Sequence, residues 1–497
     1  MLEKVQEDRL AKLEAIRTLG IDPCGPCAPY AAERIDAILA RYQEVDGQPA
    51  PDQRADAAGR IILLRDMGKM MFAHIRDESH PKGIQICLRK DQPEKPPAGL
   101  GETQWKLAKL LDLGDIVAAR GLLHKTRTGE ITIFADNLEL MVKSQLPMPE
   151  KWHGLSDVQT RYRQRYLDLM TNPDSLAVFQ KRIKIIETFR ELLKARGFSE
   201  VETPTLQSIY GGAAARPFTT HHNALDIDLF MRISPELYLK RLLVGGMERV
   251  YEFAKVFRNE GIDTRHNPEF TLMELYQAYA DYNVMMEITE ELVTESAQRV
   301  SGSERLAYGE REINFSRPWS RRKYRDLVLE HAGVDWKDDA AVRAKARALR
   351  LDEANKDLAV VVNDIFEAVV EPALAALDHP TFVLDYPAEI CPLTRRDPAD
   401  PSVAFRFECF VAGMEIANAY TELNDPAVQE ANFREQVRGE AAGETMRVMD
   451  EDFVTALRHG MPPAGGLGIG IDRIIMLLTN TTSIRDVVLF PLLRPEA

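Results

Sequence analysis

The stretch Gly466-Leu467-Gly468-Ile469-Gly470-Ile471-Asp472-Arg473, which runs on into Ile474-Ile475-Met476-Leu477-Leu478, decides between two architectures. A dinucleotide-binding turn spaces its glycines G-x-G-x-x-G between a strand and a helix. Here they fall at every second residue. Residues two apart in a strand share a face, so Gly466, Gly468 and Gly470 form a bare stripe while Leu467, Ile469 and Ile471 point into a core. A flat ligand can lie against such a stripe. Arg473 then opens a helix, where its guanidinium can meet a phosphate.

Upstream, Phe407-Glu408-Cys409-Phe410-Val411-Ala412-Gly413-Met414-Glu415-Ile416-Ala417-Asn418-Ala419-Tyr420-Thr421-Glu422 reads as a hairpin turning at Ala412-Gly413. Glu415 then lies opposite Phe410 and diagonal to Glu408 on one face. Two close carboxylates repel unless a cation joins them, so the pair invites magnesium. Asn418, Tyr420 and Glu422 have the other parity, and a bulge near Ala417 would bring both sets to one side.

A second hairpin is read from Phe257-Arg258-Asn259-Glu260-Gly261, Arg265-His266-Asn267-Pro268-Glu269-Phe270 and Met273-Glu274-Leu275-Tyr276. Placing Arg258 and Glu260 on one strand, and Phe270, Glu274 and Tyr276 on its return, gathers a cation for phosphate, an aromatic plate and carboxylates for an ammonium. A surface hairpin laced with salt bridges is the competing reading. Before it, residues 176 to 196 form a helix with Phe179, Ile183, Ile186 and Leu193 on one face. Gly197 ends it, and a strand follows from Phe198 to Pro204.

The front of the chain differs. From Arg60 to Lys143 it breaks into five short alternating segments, the strand count of an OB-fold barrel, with the polar stretch Asp91–Lys109 joining the third and fourth. Residues 1–58 read as a helical extension broken at Gly20–Pro29, 59–148 as the barrel, 149–175 as a Pro-rich linker and 176–497 as a mixed helix and strand domain. Cys24-Gly25-Pro26-Cys27 lacks the strand and helix of a redox motif and the second ligand pair of a zinc site, so it reads as a loop. Hydrophobic residues are 45% and charged residues 28% of the 497, which excludes disordered and collagen-like classes. No apolar run reaches the roughly 18 residues of a bilayer span. Five cysteines make no disulfide framework, so a cytoplasmic chain with no membrane partner is expected. The net charge of −14 argues against nucleic acid, yet the barrel segment is nearly neutral and escapes that acidity.

Taken in order, these segments resemble the class II lysyl-tRNA synthetases, from about Arg60 to the end. The helix and strand ending at Pro204 resemble motif 1, FRNEG…RHNPEF motif 2 and GLGIGIDR motif 3, while GGAAARPFTTHHNALD and ISPELYLKRL resemble segments of the lysine enzymes. The resemblance implies an α+β protein: an N-terminal OB-fold barrel that binds the anticodon, then a catalytic antiparallel sheet flanked by helices. It also implies a mostly helical insertion over 280–375 and a homodimer through motif 1. ATP and L-lysine are the implied substrates, Mg2+ the cofactor and tRNA(Lys) the partner.

Carried over by position, Arg258 would hold the α-phosphate and the amino-acid carboxylate, and Arg473 the terminal phosphate. Glu260 and Phe270 would meet adenosine, while His266, Asn267, Gly468 and Gly470 would line the ATP site. Glu408 and Glu415 would ligate magnesium. Gly212, Glu236 and Glu274 would take the lysine α-ammonium, Asn418 the carboxylate, and Tyr276 and Glu422 the ε-ammonium. Tyr420 with Ala417 and Ala419 departs from the phenylalanine and glycines of many bacterial members, which implies a tighter, more polar wall. In the barrel, Arg65, Phe72, Gln85 and Glu130 match anticodon-reading positions, with a core role as the alternative for Phe72. Competing functions are an aspartyl- or asparaginyl-type synthetase, a paralogue that lysylates a protein, and an RNA-binding regulator built on a dead synthetase.

Overall fold

The computed structural model describes residues 2–45, 48–49, 53–92, 97–149, 155, 157–213, 215–438 and 449–495. Its contacts separate two compact units, Met1–Pro173 and Asp174–Ala497.

In the first unit, α1 (Leu2–Thr18) and α2 (Ile35–Arg41) precede β1 (Arg54–Asp66), β2 (Met70–Arg76) and β3 (Ile84–Arg89). Then come α3 (Glu102–Lys109), β4 (Ile116–Lys125) and β5 (Ile131–Val142). The strands close into a barrel in the order β1-β2-β3-β5-β4. Alternation drives the closure: Met71, Ala73 and Ile75 are buried, whereas Phe72 and His74 between them are only partly so. Phe72 is therefore no core residue. The expected N-terminal extension is not a separate layer either, because Ile16, Ile35 and Ile38 are buried in the barrel's own core. The expected linker contains two short helices, Val158–Arg163 and Arg165–Thr171, and its residues 150–154 and 156 lie outside the described ones.

The second unit is built on one twisted sheet. Its elements are α4 (Pro173–Ala195), β6 (Ser199–Glu200), β7 (Thr219–His222), β8 (Ile227–Met231), α5 (Glu236–Val244), β9 (Arg249–Phe257), β10 (Glu269–Ala278) and α6 (Tyr282–Ser301). After them come β11 (Ser320–Lys323), β12 (Thr381–Pro387), β13 (Val403–Val411), β14 (Met414–Thr421), β15 (Ala464–Gly470) and α7 (Ile471–Leu478). The sheet order is β11-β12-β13-β14-β15-β10-β9-β6. Only its two edge pairs, β11 with β12 and β9 with β6, are parallel. The segment 280–375 is not purely helical: a hairpin over 305–314 and the edge strand β11 interrupt it.

The helices α4, α6 and α7 bury Ile185, Phe189, Ile288, Leu292, Ile474 and Ile475 against Met273, Leu275, Phe407, Leu467 and Ile469 on one side of the sheet. On the other side, apolar clusters built on Val250, Tyr276 and Ala464 and on Val383, Ala404 and Phe410 flank a stretch left open to polar groups. Of the four residues expected on the apolar face of α4, Phe179 and Leu193 are buried and Ile186 packs on the core, whereas Ile183 is 59% exposed and Ile185 takes a core position. Arg182 on the same helix reaches Asp472 on α7 at 2.5 Å.

Candidate active site

The glycine stripe behaves as its parity requires. Leu467 and Ile469 enter the core, while Gly466, Gly468 and Gly470 line the floor of a cavity of about 620 Å³ on the opposite face. Gly466 has a second duty, since a Cβ there would fall onto Glu422 Oε1 and the ring of Tyr276. Gly468 has no neighbour nearer than 3.7 Å to such a Cβ. One glycine makes room for protein groups; the other leaves room for a ligand.

Beside this floor, β13 and β14 turn at Ala412 and Gly413, whose φ values of 49° and 76° are both in the left-handed region of a tight hairpin turn. Phe410 pairs with Glu415, but the register then slips so that Cys409 pairs with Ala417 and Glu408 with Asn418. This bulge brings Glu415, Asn418 and Tyr420 to the cavity together with Glu408. Tyr386 OH donates to Glu408 Oε2 at 2.9 Å, and Arg406 Nη2 pairs with Oε1. Burial and the neighbouring Glu408 push the Glu415 carboxyl up to about 7. Two carboxylates this close, one of them made reluctant to ionise, fit a divalent cation. Among the described residues no group of three His, Cys, Asp or Glu forms a closed metal cage.

Arg406 is a member that sequence reading misses. Its Nε donates to Asn418 Oδ1 at 3.3 Å, and its guanidinium carbon lies 4.7 Å and 5.6 Å from the ring centres of Tyr386 and Tyr420. The signal was present, since Arg406 shares the parity of Glu408. Tyr420 does form a cavity wall, and Ala417 lies beside it, but Ala419 faces the core.

At the other hairpin, β9 stops at Phe257, so Arg258 and Glu260 lie in the loop 258–268 and not on a strand. Parity alone did not reveal where the strand ends. Arg258 still meets Phe270, its guanidinium carbon 5.2 Å from the ring centre, and its Nε is buried without a hydrogen-bond partner among the described residues. A buried, unpaired guanidinium donor facing a cavity calls for an anion. Glu260 is exposed at the rim. His266 is held by Asp263, which accepts from its backbone N–H at 2.8 Å and contacts its Nδ1 at 2.8 Å. Its Nε2 stands 3.3 Å from Arg473 Nη2, and Arg473 Nη1 donates to the Glu415 carbonyl at 2.6 Å. Asn267 Nδ2 donates to the Glu269 carbonyl at 2.6 Å, leaving its buried Oδ1 unsatisfied.

The deepest end is acidic. Glu236, Glu274 and Glu422 are buried there at 4%, 5% and 1% exposure. Ser234 Oγ and Tyr276 OH donate to the two oxygens of Glu274 at 2.8 Å and 3.1 Å, and burial followed by repulsion from Glu236 pushes that carboxyl up to about 8. Gly212, at φ 83°, is required because a Cβ would come within 2.9 Å of Glu236 Cβ and Ser234 Oγ. Glu236 and Tyr276 line the open cavity; Glu422 stands beside Tyr276 and Gly466. Lys240, one helical turn after Glu236, was also missed by sequence reading. Its Nζ lies 2.6 Å from Glu236 Oε1 and 2.5 Å from Glu422 Oε2. Both carboxylates hold its ammonium charged against the cost of burial.

In the barrel unit, Arg65 pairs with Phe72 across β1 and β2, and His74 with Gln85 across β2 and β3. Gln85 Nε2 donates to Glu130 Oε2 at 2.7 Å, and His74 Nε2 meets Oε1 at 2.5 Å. The four expected residues thus share one outer face, with His74 added. Cys24 and Cys27 are exposed free thiols.

Comparison with known proteins agrees with both units. Residues 157–494 match the family model described as tRNA synthetases class II (D, K and N), and residues 57–141 match an OB-fold nucleic acid binding domain. A lysine–tRNA ligase of Carboxydothermus hydrogenoformans is 49% identical over 100% of this chain and 99% of its own length. The lysine–tRNA ligase of Bacillus subtilis is 47% identical over 98% of this chain and 96% of its own. Among the described residues no helix is long and apolar enough to cross a membrane.

Proposed function

The chain belongs to the class II tRNA synthetases, within the lysine–tRNA ligase family, and from that premise we propose how its cavity works. The enzyme is a lysine–tRNA ligase: it joins L-lysine to AMP at the expense of ATP and passes the lysyl group to the terminal ribose hydroxyl of tRNA(Lys). The observation that carries the reading is a single cavity with an unpaired guanidinium donor at one end and the buried carboxylates Glu236 and Glu274 at the other, with buried Glu422 joined to Glu236 through Lys240. ATP is an anion and lysine carries two ammonium groups, and the two must meet at the α-phosphate.

In the first step the lysine carboxylate attacks the α-phosphorus and pyrophosphate leaves in line. The nucleophile is already ionised, so no general base is needed and the work is positioning plus charge stabilisation. Arg258 holds the carboxylate and the α-phosphate oxygens, Phe270 stacks on adenine, and Glu260 meets the base at the rim. The stripe at Gly468 and Gly470 admits the nucleotide, with His266 and Asn267 at its phosphates. Arg473, braced by His266, takes the terminal phosphate. Glu408 and Glu415 would hold Mg2+, which supplies charge neutralisation on the phosphate oxygens. Gly212, Glu236 and Glu274 receive the α-ammonium, Asn418 the carboxylate, Tyr420 the aliphatic chain, and Tyr276 with Glu422 the ε-ammonium.

The outer barrel face of Arg65, Phe72, Gln85 and Glu130 serves the anticodon by stacking and base-edge hydrogen bonds. A homodimer through α4, with exposed Ile183 in the contact, completes the proposal, together with a cytoplasmic location. An aspartyl- or asparaginyl-type pocket requires a cation or amide donor at the side-chain end, where this cavity presents carboxylates. The barrel weighs against a protein-lysylating paralogue. ATP–pyrophosphate exchange with each amino acid in turn, followed by charging of bulk tRNA, tests the reading. Exchange with lysine alone and lysyl-tRNA as product is the expected result; exchange with aspartate or asparagine in preference to lysine would overturn it.

A further inference from the structure

Lys240 belongs to none of the roles above, yet it sits at the acidic end with its side chain fully buried. It projects from α5 one turn beyond Glu236, bridges Glu236 and Glu422, and places its ammonium 6.0 Å from the ring centre of Tyr276. The contact with Glu422 is close in charge but poor in direction: neither Glu422 oxygen has an aligned hydrogen-bond donor among the described residues. Both oxygens are fully buried, so they retain capacity for a further donor. Around this end stand three carboxylates, Glu236, Glu274 and Glu422, and one ammonium. Arg258 faces the same region from the loop 258–268 and acts on Glu274, but its own buried Nε is unpaired and its charge is matched by a substrate carboxylate or phosphate.

Counting charges then gives a rule. Once cations reach them and all three are ionised, three carboxylates and one resident ammonium leave room for two further ammonium groups in a buried space, where an unmatched charge is costly. A metabolite with an α-ammonium and a distal ammonium supplies both. An amino acid with a neutral side chain supplies one, and leaves a buried carboxylate unpaired. We propose that Lys240 is a specificity-determining positioning residue: a resident ammonium that orients Glu236 and Glu422 and sets at two the number of substrate cations the pocket accepts. This rests on the lysine-activating reading of the cavity. A Lys placed four residues after a Glu on a helix is ordinarily a weak, solvated surface pair; burial of all three partners is what changes its meaning.

The test is Lys240→Met, which keeps length and removes charge, measured by ATP–pyrophosphate exchange beside the wild type. The KM for lysine should rise by about 100-fold or more, as for other broken buried ion pairs, with the KM for ATP within about threefold. Ethylammonium added at millimolar concentration should lower the lysine KM of Lys240→Ala, whose truncated side chain leaves room for the amine, and not that of the wild type, whereas ethanol should do nothing. A purely structural role would raise both KM values together and ignore the amine, and that result overturns the proposal. If Lys240→Met does not fold, Lys240→Arg and Lys240→Gln replace it: Arg should keep the preference for lysine over norleucine and Gln should reduce it, and equal preference in the two refutes the role. The wild type separates the two levels. Failure to activate lysine at all removes the functional reading and this inference with it, while normal lysine activation with an unchanged KM in the variant removes the inference alone.

Discussion

The two ends of the cavity are built on opposite principles. At the acidic end every functional group is buried and already partnered: Glu274 by Ser234 and Tyr276, and Glu236 and Glu422 by Lys240. At the guanidinium end the groups come from a loop and a helix start, are partly exposed, and keep a donor of Arg258 in reserve. The acidic end is preorganised and can reject substrates whose charges do not match it. The open end takes its shape from the anion that arrives, and its donors gain most where charge develops during reaction.

The contrast is sharpest for Arg258→Ala. Because its Nε meets no protein partner among the described residues and its guanidinium rests on the Phe270 ring, folding should be little affected, while exchange should fall by about 10²–10³-fold or more, the loss seen for a donor that meets transition-state charge. Near-normal exchange would refute its role. At the other end, Glu422→Gln should raise the KM for lysine by about 10²-fold through an unmatched ammonium, with little change in the KM for ATP. Steady-state exchange at varied lysine and varied ATP reads both, and equal shifts in the two would break the division of labour.

The glycine stripe offers a milder version of the same comparison. Gly466→Ala forces a methyl into Glu422 and Tyr276 and should act on lysine, whereas Gly468→Ala fits the fold and should act on ATP. Interchanged effects would show that the floor is assigned the wrong way round.

The smallest effect is one of pH. The Glu274 carboxyl is raised from its usual value of 4.5 to about 8 in the folded, ligand-free cavity, so the folded state holds a proton that the unfolded chain releases in that window. Stability contributed by this group therefore declines as pH rises from about 5 to 8. Glu274→Gln has no proton to lose, so its melting temperature should gain on the wild type across that range. Lysine KM in the wild type should fall as pH rises from 7 toward 8.5, since the ammonium needs the ionised carboxylate. A flat difference between the two melting curves would remove the pH argument.

Strand parity made much of this legible in sequence. The glycine stripe and the pairing of Phe410 with Glu415 follow from a period of two, and even the bulge near Ala417 could be anticipated from the conflict between Glu415 and Asn418. What parity does not encode is where a strand stops, which is why Arg258 and Glu260 were placed on a strand and are found in a loop. It is equally silent on which polar residue the rest of the chain will bury. Lys240 looks like a surface pair partner until α5 packs against β9 and β10 and Glu422 meets its ammonium, and Ile183 looks like core although Ile185 takes the buried position. His74 escaped notice because a histidine among alternating barrel residues carries no signal until Gln85 and Glu130 gather around it.

The most direct measurement uses one molecule that spans both ends. Isothermal titration with a non-hydrolysable lysyl-adenylate analogue should give a single site per chain, with affinity weakened at least about tenfold by Arg258→Ala and, separately, by Glu422→Gln. Loss of affinity in the arginine variant alone, with the glutamine variant binding as the wild type does, would contradict the claim that the acidic end embraces the amino acid.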